Sequence, residues 1–112
     1  MDREKYIVVP KNKTAMEHFD HGIENEAELE IVTLSYPEFM ELYKIGLFDL
    51  INRKCDIIID EYEEEILELD KIPIAVGIIE ELLKHYDNKR LNDIKEAFEH
   101  AFFYNTMVEF DF

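Results

Sequence analysis

The sequence has 112 residues, of which 47% are hydrophobic, and its 27 Asp and Glu against 12 Lys and Arg give a formal charge of −15. A chain of this length forms one domain, so we expect residues 1–112 to share a single core, and the hydrophobic fraction excludes a disordered tail. Because phosphate backbones and anionic lipids repel an acidic protein, the charge predicts no nucleic acid and no membrane as partner, and it favours a basic protein.

Several local features bear on where the protein functions. No apolar stretch approaches the ~20 residues of a membrane span, and the longest, at residues 72–79, contains a proline and a glycine. The apolar run before Lys11 is too short for a secretory signal. Cys55 is the single cysteine and has apolar neighbours, which predicts a buried thiol in a reducing compartment. We therefore expect a cytoplasmic protein.

The first part of the chain predicts a strand, a short helix and a second strand. Residues 6–9 form a β-branched run that ends at Pro10, which is typical of a strand. Thr14 and Glu17 have the spacing of a capping box and predict a helix that ends near Gly22. Residues 29–34 contain a β-branched run, and Glu28 and Glu30 alternate with Leu29 and Ile31, which predicts a strand with one solvated face.

A longer helix is predicted next. Ser35 and Glu38 have the spacing of a capping box, and Pro37 suits a first helical turn. Apolar residues then recur at helical spacing over residues 39–51. The pattern indicates one continuous amphipathic helix that ends in the basic pair at residues 53–54, where cations favour the helix dipole.

The second half predicts a strand, two helices and a terminal strand. Three successive isoleucines at 57–59 favour a strand buried on both faces, and residues 61–69 either extend it or return as a hairpin partner. Helical spacing predicts helices over residues 72–86 and 91–102, packed against each other. Alternation over residues 108–112 predicts a strand at the sheet edge. The order β-α-β-α-β(β)-α-α-β predicts an α/β (α+β) fold with a small mixed sheet and helices packed on it.

Two stretches, residues 17–30 and 56–70, carry many acidic residues and no Lys or Arg. Because dense like charge costs stability, we interpret the second stretch as a solvated face, a docking surface for a basic protein, or a metal site. An EF-hand is excluded because the required glycine is missing. In the docking hypothesis Tyr62 is an aromatic anchor among carboxylates. That hypothesis assigns partner contacts to Asp60, Glu61, Tyr62, Glu63, Glu64, Glu65 and Glu68.

Residue types suited to catalysis are present without the neighbours that they need. His18 and His21 have a spacing that can chelate a metal, but the sequence offers them no third fixed ligand. His85 and His100 each follow a glutamate by four residues, which is ordinary helix-surface pairing. There is no nucleophile elbow and no Gly-rich phosphate loop. We predict a protein that is not an enzyme and binds no cofactor or metal; the alternative enzyme is a metal-dependent hydrolase using His18 and His21.

Part of the chain between residues 57 and 79 resembles known proteins. It contains Ile57-Ile58-Ile59-Asp60-Glu61-Tyr62-Glu63 and then Lys71-Ile72-Pro73-Ile74-Ala75-Val76-Gly77-Ile78-Ile79. This acidic strand-turn followed by an apolar helix resembles stretches of the small acidic immunity proteins of bacterial toxin/immunity systems. The resemblance implies an inhibitor that covers the active site or substrate groove of a basic, toxin-like enzyme, often a nuclease, with acidic side chains.

An alternative function rests on the C-terminal aromatic residues. Phe103 and Tyr104 lie off the apolar stripe of their helix, and Phe110 and Phe112 belong to the strand expected at the edge. Exposed aromatic surface and open strand edges both favour association. The alternative is a structural or regulatory subunit held by this surface, and we expect a monomer or a weak homodimer.

Overall fold

The computed structural model describes residues 3–23 and 25–112, which form a four-stranded sheet and five helices. The strands are β1 (Lys5–Pro10), β2 (Leu29–Leu34), β3 (Glu64–Leu67) and β4 (Val108–Asp111). The helices are α1 (Lys13–Asp20), α2 (Tyr36–Lys44), α3 (Leu47–Cys55), α4 (Ile72–Leu83) and α5 (Lys89–Tyr104). Short 3-10 turns, Glu26–Glu28 and Leu69–Lys71, precede β2 and α4. The predicted α+β class is confirmed.

The strand order is β2-β1-β4-β3, and every neighbouring pair is antiparallel. The sheet is therefore antiparallel, whereas a mixed sheet was predicted. The reason is that α1 joins two antiparallel neighbours, β1 and β2, and does not cross over between parallel strands. The prediction of β4 as an edge strand is also wrong. Val108 and Phe110 are fully buried in the core, and the acidic residues that alternate with them lie on the opposite face of an inner strand.

The two faces of the sheet have different coverings. One face, which we call the core face, contributes Ile7, Val9, Leu34 and Phe110 to a hydrophobic cluster with α2, α3, α4 and α5. The other, which we call the open face, is approached only by α1 among the five helices, which contacts β1 and places Phe19 beside the strands. The open face carries Tyr6, Val8, Leu29, Ile31, Thr33, Glu64, Ile66, Glu109 and Asp111. The open face is thus the less covered face of the sheet.

The single helix predicted over residues 36–54 is two helices, α2 and α3. The capping box at its start is confirmed, since Ser35 and Glu38 exchange hydrogen bonds between side chain and backbone. The chain breaks at Gly46, whose φ of +90° belongs to the left-handed region that glycine adopts freely. Because both helices bury their apolar residues in the same core, the apolar periodicity continues across the break.

Replacing Gly46 by alanine is expected to lower the free energy of unfolding by about 1 to 2 kcal/mol, because a side chain disfavours positive φ. Gly77 in α4 is the matched control, since a Cβ meets no atom within 4 Å at either position and Gly77 has no positive φ. Gly77→Ala is expected to raise the unfolding free energy by about 0.5 to 1 kcal/mol through helix propensity. Urea unfolding of both variants measures the difference, and shifts of the same sign contradict the explanation.

The strand predicted at residues 57–59 is wrong. These residues form a loop after α3, with Ile58 largely exposed and Ile59 buried. The Asn52 side chain accepts a hydrogen bond from the Ile59 N–H at 2.6 Å and donates one to its carbonyl at 3.1 Å. Side-chain hydrogen bonds thus replace the strand ladder there. Strand β3 forms later, at residues 64–67, within the stretch 61–69 that was predicted either to extend the first strand or to pair with it as a hairpin.

The remaining elements follow the predictions except at their ends. The N-cap of α1 is Asn12, which accepts the hydrogen bond from the Ala15 N–H, so the capping box expected at Thr14 is wrong. Helices α4 and α5 are confirmed and pack against each other, although α4 ends before Tyr86 and Phe102 is half exposed. Within residues 3–23 and 25–112, no helix combines the length and the apolar character that crossing a membrane requires.

Candidate functional site

A cleft of about 480 Å³ lies on the open face of the sheet, between the strands and the end of α1. Its apolar lining comes from β1, β2 and α1 and consists of Tyr6, Val8, Phe19, Leu29 and Ile31. Five carboxylates also line it: Asp20, Glu26, Glu64, Glu109 and Asp111. No Lys, Arg or His is among its described lining residues. We call this site the anionic cleft.

The anionic cleft brings the two acidic stretches of the sequence together. Asp20 and Glu26 come from residues 17–30, and Glu64 comes from residues 56–70. Asp20 ends α1 and Glu26 lies in the 3-10 turn before β2, whereas Glu64 begins β3, and β2 and β3 are opposite edges of the sheet. The inner strand β4 lies between them and adds Glu109 and Asp111, with Asp111 paired in register with Glu64. Negative charge is therefore concentrated here by the sheet order and not by sequence proximity.

Glu109 is the most deeply placed carboxylate of the cleft, with an exposed fraction of 7%. The pKa of Glu109 is raised from the ordinary 4.5 to about 7, mainly by burial and also by the negative charges of Glu64, Asp111 and Asp20. None of the described basic side chains forms an ion pair with Glu109. A cation placed beside it would therefore favour its ionised form.

The seven residues predicted as partner contacts have different surroundings in the fold. Of these, only Glu64 lines the anionic cleft. Glu61 is bound to Lys5, and Glu65 accepts hydrogen bonds from the N–H groups of Ile58 and Ile66, so both carboxylates hold the local fold together. The other four are exposed: Asp60, Tyr62, Glu63 and Glu68. Contact of these seven residues with a partner stays a prediction, and the carboxylates of Glu61 and Glu65 already have partners within the fold.

Lys5 is the basic residue to which the acidic stretch is tied, and sequence analysis missed it. Its side chain is fully buried on the core face at the start of β1. The Nζ atom donates to Glu61 Oε2 at 3.0 Å and to the Phe112 carbonyl at 2.9 Å. It also lies 5.2 Å from the ring centre of Phe39 and 4.8 Å from that of Tyr62. The available signal was strand alternation, which places Lys5 on the same face as Ile7 and Val9.

The histidines pair with carboxylates across the fold. His18 Nδ1 lies 3.0 Å from the Glu28 carboxylate, and His100 Nδ1 lies 2.8 Å from that of Glu30. The latter corrects the prediction that His100 pairs along its own helix, whereas His85 does lie 3.9 Å from Glu81. In the described part of the chain, no three His, Cys, Asp or Glu side chains are grouped so as to hold a metal ion.

The C-terminal aromatic residues divide between core and surface. Phe110 and Phe112 are fully buried, so the alternative hypothesis that places an association surface on them is wrong at these two residues. Their rings pack edge-to-face with each other and with core phenylalanines. Phe103 remains 81% exposed at the end of α5. Cys55 is buried as predicted, and burial raises the pKa of its thiol, which disfavours the nucleophilic thiolate.

No protein-family model matches the chain, and no curated protein or solved structure matches it. The geometry and charge of the anionic cleft are thus the features that bear on the function of the chain.

Proposed function

We propose that the protein is an acidic binding module of the cytoplasm that receives a basic protein on the open face of its sheet. In this proposal it acts as an immunity protein or inhibitor that occludes a toxin-like enzyme. One observation supports it above all: five carboxylates from separate parts of the chain line one cleft, and no basic side chain is among its described lining residues. The formal charge of −15 adds a long-range attraction for a positively charged surface.

The proposal also includes two exposed residues outside the anionic cleft. Tyr62 and Glu63 precede Glu64 in the chain and are exposed, with Tyr62 held at φ +68°. An exposed tyrosine beside carboxylates offers apolar contact area together with charge-assisted acceptors for Lys and Arg. Because Glu61 anchors this segment to Lys5, the neighbouring side chains are presented from a fixed backbone. The proposed contact surface is the open-face set Asp20, Glu26, Glu64, Glu109 and Asp111, together with Tyr62 and Glu63 immediately before β3.

Electrostatic complementarity explains how such a surface would act on its partner. Carboxylates facing basic side chains raise the association rate, and they disfavour the binding of partners that carry negative charge at the same positions. Where the partner is an enzyme that uses basic residues to hold an anionic substrate, the carboxylates of this protein would occupy the positions of the substrate's anionic groups. The resemblance to small acidic immunity proteins implies a partner of this kind, and a nuclease is one example.

The test compares the cleft with equal charge elsewhere. A triple variant, Glu26→Gln, Glu64→Gln and Asp111→Asn, removes three cleft carboxylates, and the matched control is Asp87→Asn, Glu96→Gln and Glu99→Gln at exposed positions outside the cleft. Binding of a poly-lysine peptide is measured by fluorescence anisotropy. The cleft variant is expected to bind about tenfold more weakly than the control variant, because adjacent charges act together. Equal weakening by both triples would mean diffuse attraction and overturn the proposal.

Salt provides a second measurement on the same materials. Between about 0.01 M and about 0.1 M salt the screening length falls from about 30 Å to about 10 Å. The association rate of poly-lysine with the unmodified protein is expected to fall about tenfold or more over this range. An association rate that does not respond to salt would contradict electrostatic docking.

A further inference from the structure

We infer that the anionic cleft is a pocket for one arginine side chain of the partner, with the guanidinium beside Glu109 and the aliphatic stem along the apolar floor. This inference rests on the proposed function and makes it more specific. It starts from the composition of the cleft, which combines five carboxylates with five apolar or aromatic side chains in about 480 Å³. That volume falls within the range of about 300 to 1,000 Å³ of small-ligand pockets.

The first argument concerns Glu109. Glu109 is more than nine-tenths buried and lines the cleft. No described backbone N–H or basic side chain is bonded to its carboxylate. Its carboxyl shares a side-chain hydrogen bond with that of Glu64, and the negative charges of Glu64, Asp111 and Asp20 act on it. A buried carboxylate surrounded by like charge is unfavourable until a cation is supplied. The cleft is the open route by which an outside cation reaches Glu109.

The second argument concerns the apolar part of the cleft. Tyr6 and Val8 of β1 lie in register with Asp111 and Glu109 of β4, so the phenol ring and the aliphatic side chain adjoin the carboxylates. A bare metal ion would leave these groups unused, and the described side chains form no metal-binding group. A long side chain with an apolar stem and a charged end satisfies both parts of the cleft.

The third argument selects arginine over lysine. A guanidinium has five N–H donors in a planar fork, so it can bond to Glu64, Glu109 and Asp111 at the same time. It also stacks on aromatic rings, and Tyr6 presents one in the lining. Because the guanidinium is less strongly hydrated than an ammonium group, it loses less on entering a half-buried site.

The experiment uses N-acetyl-arginine methylamide and its neutral counterpart of the same shape, N-acetyl-citrulline methylamide. Backbone amide shifts of the full chain are followed by NMR during titration. Arginine is expected to bind at least about tenfold more tightly than citrulline and to shift the amides of residues 6–8, 64 and 109–111. Equal affinity for the two compounds, equal affinity for the corresponding lysine amide, or shifts scattered over α5 and the other acidic surfaces would overturn the inference.

Two further measurements isolate Glu109. Affinity for the arginine amide is expected to fall roughly tenfold between about pH 8 and about pH 6, since the ionised fraction of Glu109 falls by about that factor. The groups facing Glu109 are Glu64 of β3, Asp111 of β4, Asp20 of α1 and the phenol of Tyr6 of β1. Glu109→Gln should abolish this pH dependence and weaken binding about tenfold, whereas Glu99→Gln should change neither. Unchanged binding by Glu109→Gln would contradict the inference.

The outcomes for the inference and for the proposed function are separable. If poly-lysine binding depends on the cleft triple variant but the arginine amide does not bind there, the arginine pocket is wrong and the acidic docking surface stands. If poly-lysine binding is indifferent to the cleft carboxylates, the docking surface itself is wrong.

Discussion

Replacing Lys5 by methionine is expected to lower the free energy of unfolding by about 3 kcal/mol. Methionine has a similar length and fills the same buried space, but it cannot donate hydrogen bonds. The substitution leaves the Phe112 carbonyl and the Glu61 carboxylate without the donor that now lies 2.9 Å and 3.0 Å away. It also removes the ammonium from the rings of Phe39 and Tyr62, a contribution of about 0.5 to 2 kcal/mol in proteins.

Lys13→Met is the matched control, because it removes the same charge from an exposed position in the first turn of α1. Its effect is expected to stay within about 0.5 kcal/mol. Urea unfolding of both variants gives the comparison, and amide hydrogen exchange in residues 57–63 should increase in Lys5→Met alone, since Lys5 connects this loop to the sheet. Equal stability of the two variants would show that Lys5 has no special structural role.

Replacing Glu109 by glutamine is expected to stabilise the protein at alkaline pH and to have little effect in acid. The pKa of Glu109 is raised in the folded state, from 4.5 to about 7, so its ionisation disfavours folding. Below about pH 4 both folded and unfolded chains carry the protonated group, and it then makes no pH-dependent contribution. As the pH rises through this range the unfolded chain loses its proton first, and stability falls until the folded form also ionises near pH 7.

The size of the effect follows from the same pKa values. At about 1.4 kcal/mol for each pH unit, a rise from 4.5 to about 7 corresponds to about 3 kcal/mol at most above pH 7. Glu109→Gln should therefore gain up to about 3 kcal/mol over the unmodified protein near pH 8 and much less near pH 4. Asp87→Asn, at an exposed position, should show no such pH-dependent difference. A Glu109→Gln variant that is less stable than the unmodified protein at pH 8 would contradict the argument.

The free energy that ionisation of Glu109 costs the folded state also couples stability to the binding of a cation. A ligand that binds only the folded state raises stability by mass action. A guanidinium beside Glu109 would both add this binding term and favour the ionised carboxylate. The arginine amide should therefore raise the melting temperature of the unmodified protein more at pH 8 than at pH 6, whereas it should not do so in Glu109→Gln.

Much of the fold was determined by local sequence patterns. Strands β1 and β2, the capped start of α2, and helices α4 and α5 were all predicted, because each depends on the spacing of apolar residues and on a capping residue within a few positions. Local patterns failed at Gly46, where the break between two helices leaves the apolar spacing unchanged, and where a side chain of the preceding helix replaced the expected partner strand. Asn52 did so for residues 57–59, which therefore form a loop and not a strand.

The anionic cleft was decided by the tertiary structure. The sequence by itself determined an acidic α+β protein with two stretches free of basic residues, and of its seven proposed contacts only Glu64 lies in the cleft. A run of acids in a strand and loop points to both sides of a sheet, so neighbours such as Glu64 and Glu65 separate. Glu109 and Lys5 acquire their surroundings from strand pairing between the two ends of the chain, since β1 meets β4, and sequence spacing carries no information about that pairing.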